Sequence, residues 1–155
     1  MEHITHSAAE TRQLAQRFAE TLHGGEVLCL YGDLGRGKTT FVQGLGKGLG
    51  ITRNVNSPTF LIMRSYKLST LDEEVMGNSL GKTLYHVDLY RLEHEQEMID
   101  IGLFDLMHDP DAIVVIEWPE KLGALVPNER IDIHFDYIDE DSRSITIKEV
   151  HGKSY

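Results

Sequence analysis

The sequence predicts an α/β fold, a three-layer domain with a mixed, mainly parallel central sheet and a C-terminal antiparallel hairpin. Three observations carry this expectation. Residues 26–31 and 112–116 are short, almost uniformly apolar runs, the pattern of strands buried on both faces of a parallel sheet. The first of them leads through a glycine-rich loop into a helical segment, so strand, loop and helix follow one another directly. Residues 131–137 and 144–150 alternate apolar and polar side chains around Asp139-Glu140-Asp141-Ser142, which reads as a hairpin.

The remaining elements fill in around these. Ser7-Ala8-Ala9-Glu10 has the capping-box spacing, and Leu14, Ala15, Phe18 and Leu22 recur at helical intervals. A helix is therefore expected over 8–23, stopped by Gly24-Gly25. The helix that begins near Lys38 carries Gly44, Gly46, Gly48 and Gly50, each costing up to about 1 kcal/mol relative to alanine. Either its far end frays or a neighbour packs closely there. Residues 59–66 read as a strand. The polar stretch 68–82, with Gly77-Asn78 and Gly81, reads as a hairpin tip or flexible loop without assigned chemistry. Residues 84–87 form a short strand that ends at Asp88. A helix over 93–108 opens with acids, which suits its positive N-terminal end. No repeat or linker interrupts the chain, so its 155 residues are expected to form a single domain, 1–155.

Composition narrows the function. No apolar run approaches the roughly 18 residues of a membrane span. The N-terminus lacks the basic and apolar pattern of a signal peptide, so a cytoplasmic protein without membrane contact is expected. Cys29 is the only cysteine, which rules out an intrachain disulfide and a multi-thiolate zinc site within one chain, and it reads as a small core residue. Fifteen basic residues face 25 acidic ones, for a net charge of −10. Tight nucleic-acid binding needs clustered Lys and Arg, so contact with tRNA is expected to be at most indirect.

Chemistry is concentrated in Gly32-Asp33-Leu34-Gly35-Arg36-Gly37-Lys38-Thr39. Every fixed position of the phosphate-binding P-loop is present, with a strand before it and a helix after it. Glycines let successive backbone N–H groups face one anion, and the helix start adds its positive end. Lys38 can reach the β- and γ-phosphates, and the Thr39 hydroxyl can ligate Mg²⁺. The expected ligand is thus a nucleoside triphosphate with Mg²⁺, held by Asp33, Leu34, Gly35, Arg36, Gly37, Lys38, Thr39 and Thr40. Arg36 could touch phosphate or a partner, or simply be solvated.

Such a site also needs a carboxylate at the end of a neighbouring strand, for the metal or its water. Glu117 and Asp88 both occupy that position. His86 and Asp88 share one face of a regular strand. They could orient a water or form a structural hydrogen-bonded pair. Trp118 could stack on a ligand or partner, or cover the edge of the core. Ser57-Pro58-Thr59 could sense the γ-phosphate as switch loops do, or be a plain turn. The histidines at 94, 108, 134 and 151 lack metal-ligand spacing.

Four pieces, taken together, are distinctive: the loop 32–40, Asn56-Ser57-Pro58-Thr59-Phe60, Tyr85-His86-Val87-Asp88-Leu89-Tyr90-Arg91-Leu92 and Ile116-Glu117-Trp118-Pro119-Glu120. In this order they resemble the bacterial TsaE family, also called YjeE, the small P-loop ATPases of the tRNA threonylcarbamoyladenosine pathway. The resemblance spans about residues 26–137. It implies an ATPase working with the TsaB–TsaD pair, which places threonylcarbamoyl on adenosine 37 of tRNA, without transferring that group itself. It further implies Thr39 and Glu117 as Mg²⁺ ligands and Lys38 with the loop backbone on the phosphates. The resemblance likewise implies that Thr59 lies in a switch-like loop and that Asp88 and Trp118 support hydrolysis or coupling. Two features depart from the family pattern: Arg36 stands where a small residue is common, and the segment 68–82 is longer.

Rival readings are a small-molecule kinase, a GTPase and an ATP-gated binding module. A kinase usually needs an arginine-bearing lid, and the only arginines after Glu117 are Arg130 and Arg143, in the predicted hairpin. No Asn-Lys-x-Asp stretch is present to read guanine. An ATP-gated module is poorly separated from a slow ATPase by sequence.

Overall fold

The computed structural model of the protein describes residues 1–33, 37–51, 55, 62–68 and 82–152. Its strands are β1 (Glu2–Thr5), β2 (Val27–Tyr31), β3 (Met63–Lys67), β4 (Thr83–Asp88), β5 (Ala112–Glu117), β6 (Arg130–Tyr137) and β7 (Arg143–Val150). The helices are α1 (Ala8–Ala19), α2 (Lys38–Gly48), α3 (Glu95–Asp100) and α4 (Leu103–Met107), with a 3-10 helix at Pro119–Leu125. Seven strands form one sheet in the order β1-β7-β6-β2-β5-β4-β3. The central four, β6-β2-β5-β4, run parallel, and antiparallel strands flank them on both sides. The mixed, mainly parallel α/β architecture and the C-terminal hairpin are as the sequence predicts.

Strand periodicity divides the core. Leu28 and Leu30 of β2 and Ile113 and Val115 of β5 pack with Leu14, Phe41, Val42 and Leu45 of α1 and α2. The alternate residues Val27, Cys29, Val114 and Ile116 pack on the other face with Met98, Leu103, Met107 and Leu122. Burial on both faces is why β2 and β5 carry continuous apolar runs rather than alternating ones. Cys29 is fully buried, as a core residue.

Glycines in α2 serve close packing rather than fraying. A Cβ on Gly44 would run into the Arg12 carbonyl oxygen and lie 2.8 Å from Ala15 Cβ. On Gly48 it would lie 2.6 Å from Gln16 O. Helices α1 and α2 therefore touch backbone to backbone, which seats the start of α2 firmly over β2.

Three boundaries differ from expectation. Helix α1 ends at Ala19, because the Glu20 and Thr21 N–H groups tighten onto Arg17 O and Phe18 O and Gly24 and Gly25 take positive φ. The single helix expected over 93–108 is two, split at Gly102, whose φ of 71° no helix interior accepts. Strand β1 was not foreseen. Its four residues, from exposed Glu2 to buried Thr5, carry no apolar alternation that marks a strand, and pairing with distant β7 creates it. The strand expected over 59–66 is described from Met63, while residues 59–61, most of the stretch 68–82 and the Ser57-Pro58-Thr59 turn lie outside the described residues. Among the described residues no helix is long and apolar enough to cross a membrane.

Candidate nucleotide site

The parallel register sets where the site can form. Asp88 is the Cα partner of Glu117, and Glu117 is the partner of Leu30, just before β2 enters the glycine loop. The carboxyl ends of β2, β4 and β5 are thus level, the usual place for ligands in open α/β sheets. Leu84, Ile113 and Val115 face α1 and α2. By strand alternation His86, Asp88 and Glu117 project to that same side.

Gly37 caps α2 with φ 95°, a left-handed backbone that lets the chain turn from loop into helix at once. Lys38, Thr39 and Thr40 follow as the first residues of α2, where helix geometry leaves backbone N–H groups without internal partners. A cavity of about 360 Å³ opens there. Gly37, Lys38, Thr39, Thr40, Asp88 and Glu117 line it together, which gathers residues from three separate stretches of sequence. Leu34, Gly35 and Arg36 lie outside the described residues. Asp33 is exposed and lines a neighbouring surface depression with Tyr31 and His134 rather than this cavity.

Lys38 is only 4% exposed, yet its ammonium has no hydrogen-bond acceptor among the described residues. Burial pushes its pKa below the ordinary lysine value, and the negative charges of Glu117, Asp88, Glu120 and Asp33 partly restore it. The ammonium lies over the Trp118 ring, 4.3 Å from its centroid. Trp118 is the single non-glycine residue with positive φ among those described, at φ 60° and ψ 48°. A side chain held there costs roughly 1–3 kcal/mol, so the backbone is strained to put the indole against Lys38 and 5.1 Å from Tyr90.

Glu117 is nearly buried, and its Oε2 lies 2.6 Å from Nε2 of the fully buried His86. His86 pairs with Glu117, not with Asp88 as its position on the strand had allowed. The Asp88 carboxylate instead accepts from the Tyr90 N–H at 2.9 Å. Among the described residues no three His, Cys, Asp or Glu side chains gather into a metal cage. A Mg²⁺ site of this kind needs no such cage, because one or two carboxylates with phosphate and water oxygens complete it. The Lys38 ammonium, without an acceptor among the described residues and lining one cavity with Thr39 and Glu117, fits a triphosphate and its metal.

The far wall of the cavity was missed from sequence. It comes from Ser7, Ala8 and Thr11 at the start of α1 and from Glu140, Asp141 and Arg143 at the β6–β7 turn. Ser7 read only as a cap, and it does accept from the Glu10 N–H at 3.1 Å. Arg143 read only as a hairpin residue. The pairing of β7 with β6, and of β6 with β2, brings that turn to the loop. No local signal in the sequence encodes this. Arg143 at the cavity also removes the argument that the kinase reading lacks a nearby arginine.

Comparison with known proteins settles the family. The model of the family described as "Threonylcarbamoyl adenosine biosynthesis protein TsaE" matches residues 5–145. The chain belongs to the TsaE family. It is 40% identical over 144 residues to the tRNA threonylcarbamoyladenosine biosynthesis protein TsaE of Bacillus subtilis, covering 93% of this chain and 82% of that one. With the Nostoc TsaE it shares 41% identity over 140 residues, covering 88% and 78%. A crystal structure of Bacillus subtilis YdiB superposes with a TM-score of 0.75 at 32% identity, covering 97% of this chain and 85% of that one. The match to TsaE proteins thus reaches both walls of the cavity, from the start of α1 to the β6–β7 turn.

Proposed function

We propose that this TsaE-family protein is a Mg²⁺-dependent ATPase of the cytoplasm that serves the threonylcarbamoylation of adenosine 37 in tRNA by acting on the TsaB–TsaD transferase complex. The observation that carries the nucleotide part is the buried Lys38 ammonium, without a hydrogen-bond partner among the described residues and set in a cavity with Thr39, Asp88 and Glu117. The pathway part is supported by relatives named as tRNA threonylcarbamoyladenosine biosynthesis proteins.

In this reading Lys38 and the N–H groups of residues 33–40 hold the β- and γ-phosphates, and a single buried cation counts for more there than in water. The Thr39 hydroxyl and the Glu117 carboxylate hold the metal. The metal held there would supply positive charge against the charge that develops on the phosphates. Asp88, level with Glu117, orients the attacking water. Trp118 gives up its contact with Lys38 as the phosphates arrive, and Tyr90 beside it carries that change to the surface. The chain does not itself transfer the threonylcarbamoyl group. With a net charge of −10, it reaches tRNA only through its protein partners.

Reconstituted tRNA modification over many turnovers tests this function. TsaB, TsaD, tRNA and the threonylcarbamoyl donor are combined with and without this protein and ATP. Modification that continues past one round only when both are present supports the proposal. Equal multiple-turnover yields without this protein would refute it.

A further inference from the structure

The geometry points to His86 as a positioning residue that orients Glu117 for the metal: its imidazole holds one carboxylate oxygen so that the other faces the cavity. This rests on the Mg²⁺–nucleotide reading above and adds a residue to it.

Three observations converge. First, His86 is fully buried and touches Glu117 Oε2 at 2.6 Å, a short, charge-assisted hydrogen bond. An ionised carboxylate only accepts, so Nε2 carries the hydrogen and donates it. Second, Glu117 lines the cavity, and with Oε2 taken, Oε1 is the oxygen available to a cation. A free glutamate samples several rotamers, and one fixed oxygen removes most of that freedom before the metal arrives. Third, Nδ1 of His86 is buried and has no partner among the described residues. Leaving a buried nitrogen unpaired is unfavourable, so an apolar side chain would fill this core position at lower free energy. The bond to Glu117 is what distinguishes histidine from such a residue. The position follows from the strand: His86 lies two residues before Asp88, on the face shared with Glu117. Ligating carboxylates are ordinarily held by such outer partners, and loss of one weakens metal binding by about 10- to 100-fold.

Mn²⁺ binding, followed by electron paramagnetic resonance, tests this in the complex of the full chain with a non-hydrolysable ATP analogue. Three variants are compared with wild type, His86→Leu, His86→Phe and His86→Gln, alongside analogue binding in EDTA. Gln can present an N–H donor where Nε2 sits, whereas Leu and Phe cannot. The expected result is Mn²⁺ affinity reduced at least about tenfold in His86→Leu and His86→Phe. His86→Gln should stay close to wild type, and metal-free analogue binding should be unchanged in all three. Wild-type Mn²⁺ affinity in the apolar variants would overturn the inference. So would parallel losses of metal-dependent and metal-free binding, because they would mark a fold role. Absence of nucleotide-dependent Mn²⁺ binding in the wild type would instead overturn the Mg²⁺–nucleotide reading, and this inference with it.

Discussion

The Lys38 ammonium lies 4.3 Å from the centroid of the Trp118 ring, and this cation–π contact stands where a hydrogen-bond acceptor would be expected. A π face attracts a desolvated cation by about 2 kcal/mol, and charge-assisted hydrogen bonds to anionic oxygens are the stronger partners for an ammonium. In the proposed nucleotide complex, phosphate oxygens are therefore expected to displace the indole from Lys38.

Trp118 is the only tryptophan in the chain, so its fluorescence reports this site alone. Saturating Mg²⁺–ATP is expected to change its emission intensity or wavelength, and Lys38→Ala is expected to abolish the response. An emission spectrum that does not change with nucleotide in the wild type would show that the indole keeps its place.

Nucleotide-free stability should improve when the charge is removed. Burying an unsatisfied polar group costs about 1–3 kcal/mol, so Lys38→Met is expected to stabilise the empty protein by about that amount. It should also eliminate the rise in Tm that ATP gives the wild type. The sign with pH follows from the lowered pKa of Lys38. Between the folded value and the ordinary lysine value, the unfolded chain binds more protons, so stability from this group rises with pH. Its cost is full below the folded pKa and vanishes above the ordinary one. Thermal melts at stepped alkaline pH should show the gap between Lys38→Met and wild type closing as pH rises. A gap that stays constant would contradict this account.

Gly44→Ala tests the seat of the loop. The added methyl meets the Arg12 carbonyl oxygen and Ala15 Cβ, so α1 and α2 must separate. The expected loss of about 1–3 kcal/mol exceeds the gain of about 1 kcal/mol in helix propensity. Chemical denaturation measures it, and a variant as stable as wild type would mean that the helices part freely.

How far the sequence reached depended on whether each signal was local. The β2–loop–α2 unit and the acids at the ends of β4 and β5 each announce themselves within a few residues, by apolar runs and glycine spacing. Their convergence at one cavity followed from the parallel sheet. The α3–α4 break turned on the single Gly102, which helical periodicity on either side concealed. Strand β1 and the Arg143 side of the cavity depend on pairings across most of the chain, such as Ile4 with Ser144. No window of sequence contains both partners. By strand alternation alone His86 shares one face with Asp88, where the two could orient a water or form a hydrogen-bonded pair. Its partner proved to be Glu117, 31 positions away on the next strand.

The central claim is that Lys38 and Glu117 form one ATP–Mg²⁺ hydrolytic site. Steady-state ATP turnover with Mg²⁺, in wild type, Lys38→Ala and Glu117→Ala, tests it most directly. Removing one preorganised charge from such a site is expected to lower kcat by about 10²–10³-fold. The account predicts a drop of that order in each variant with the fold intact by circular dichroism. Wild-type turnover in both variants would contradict it.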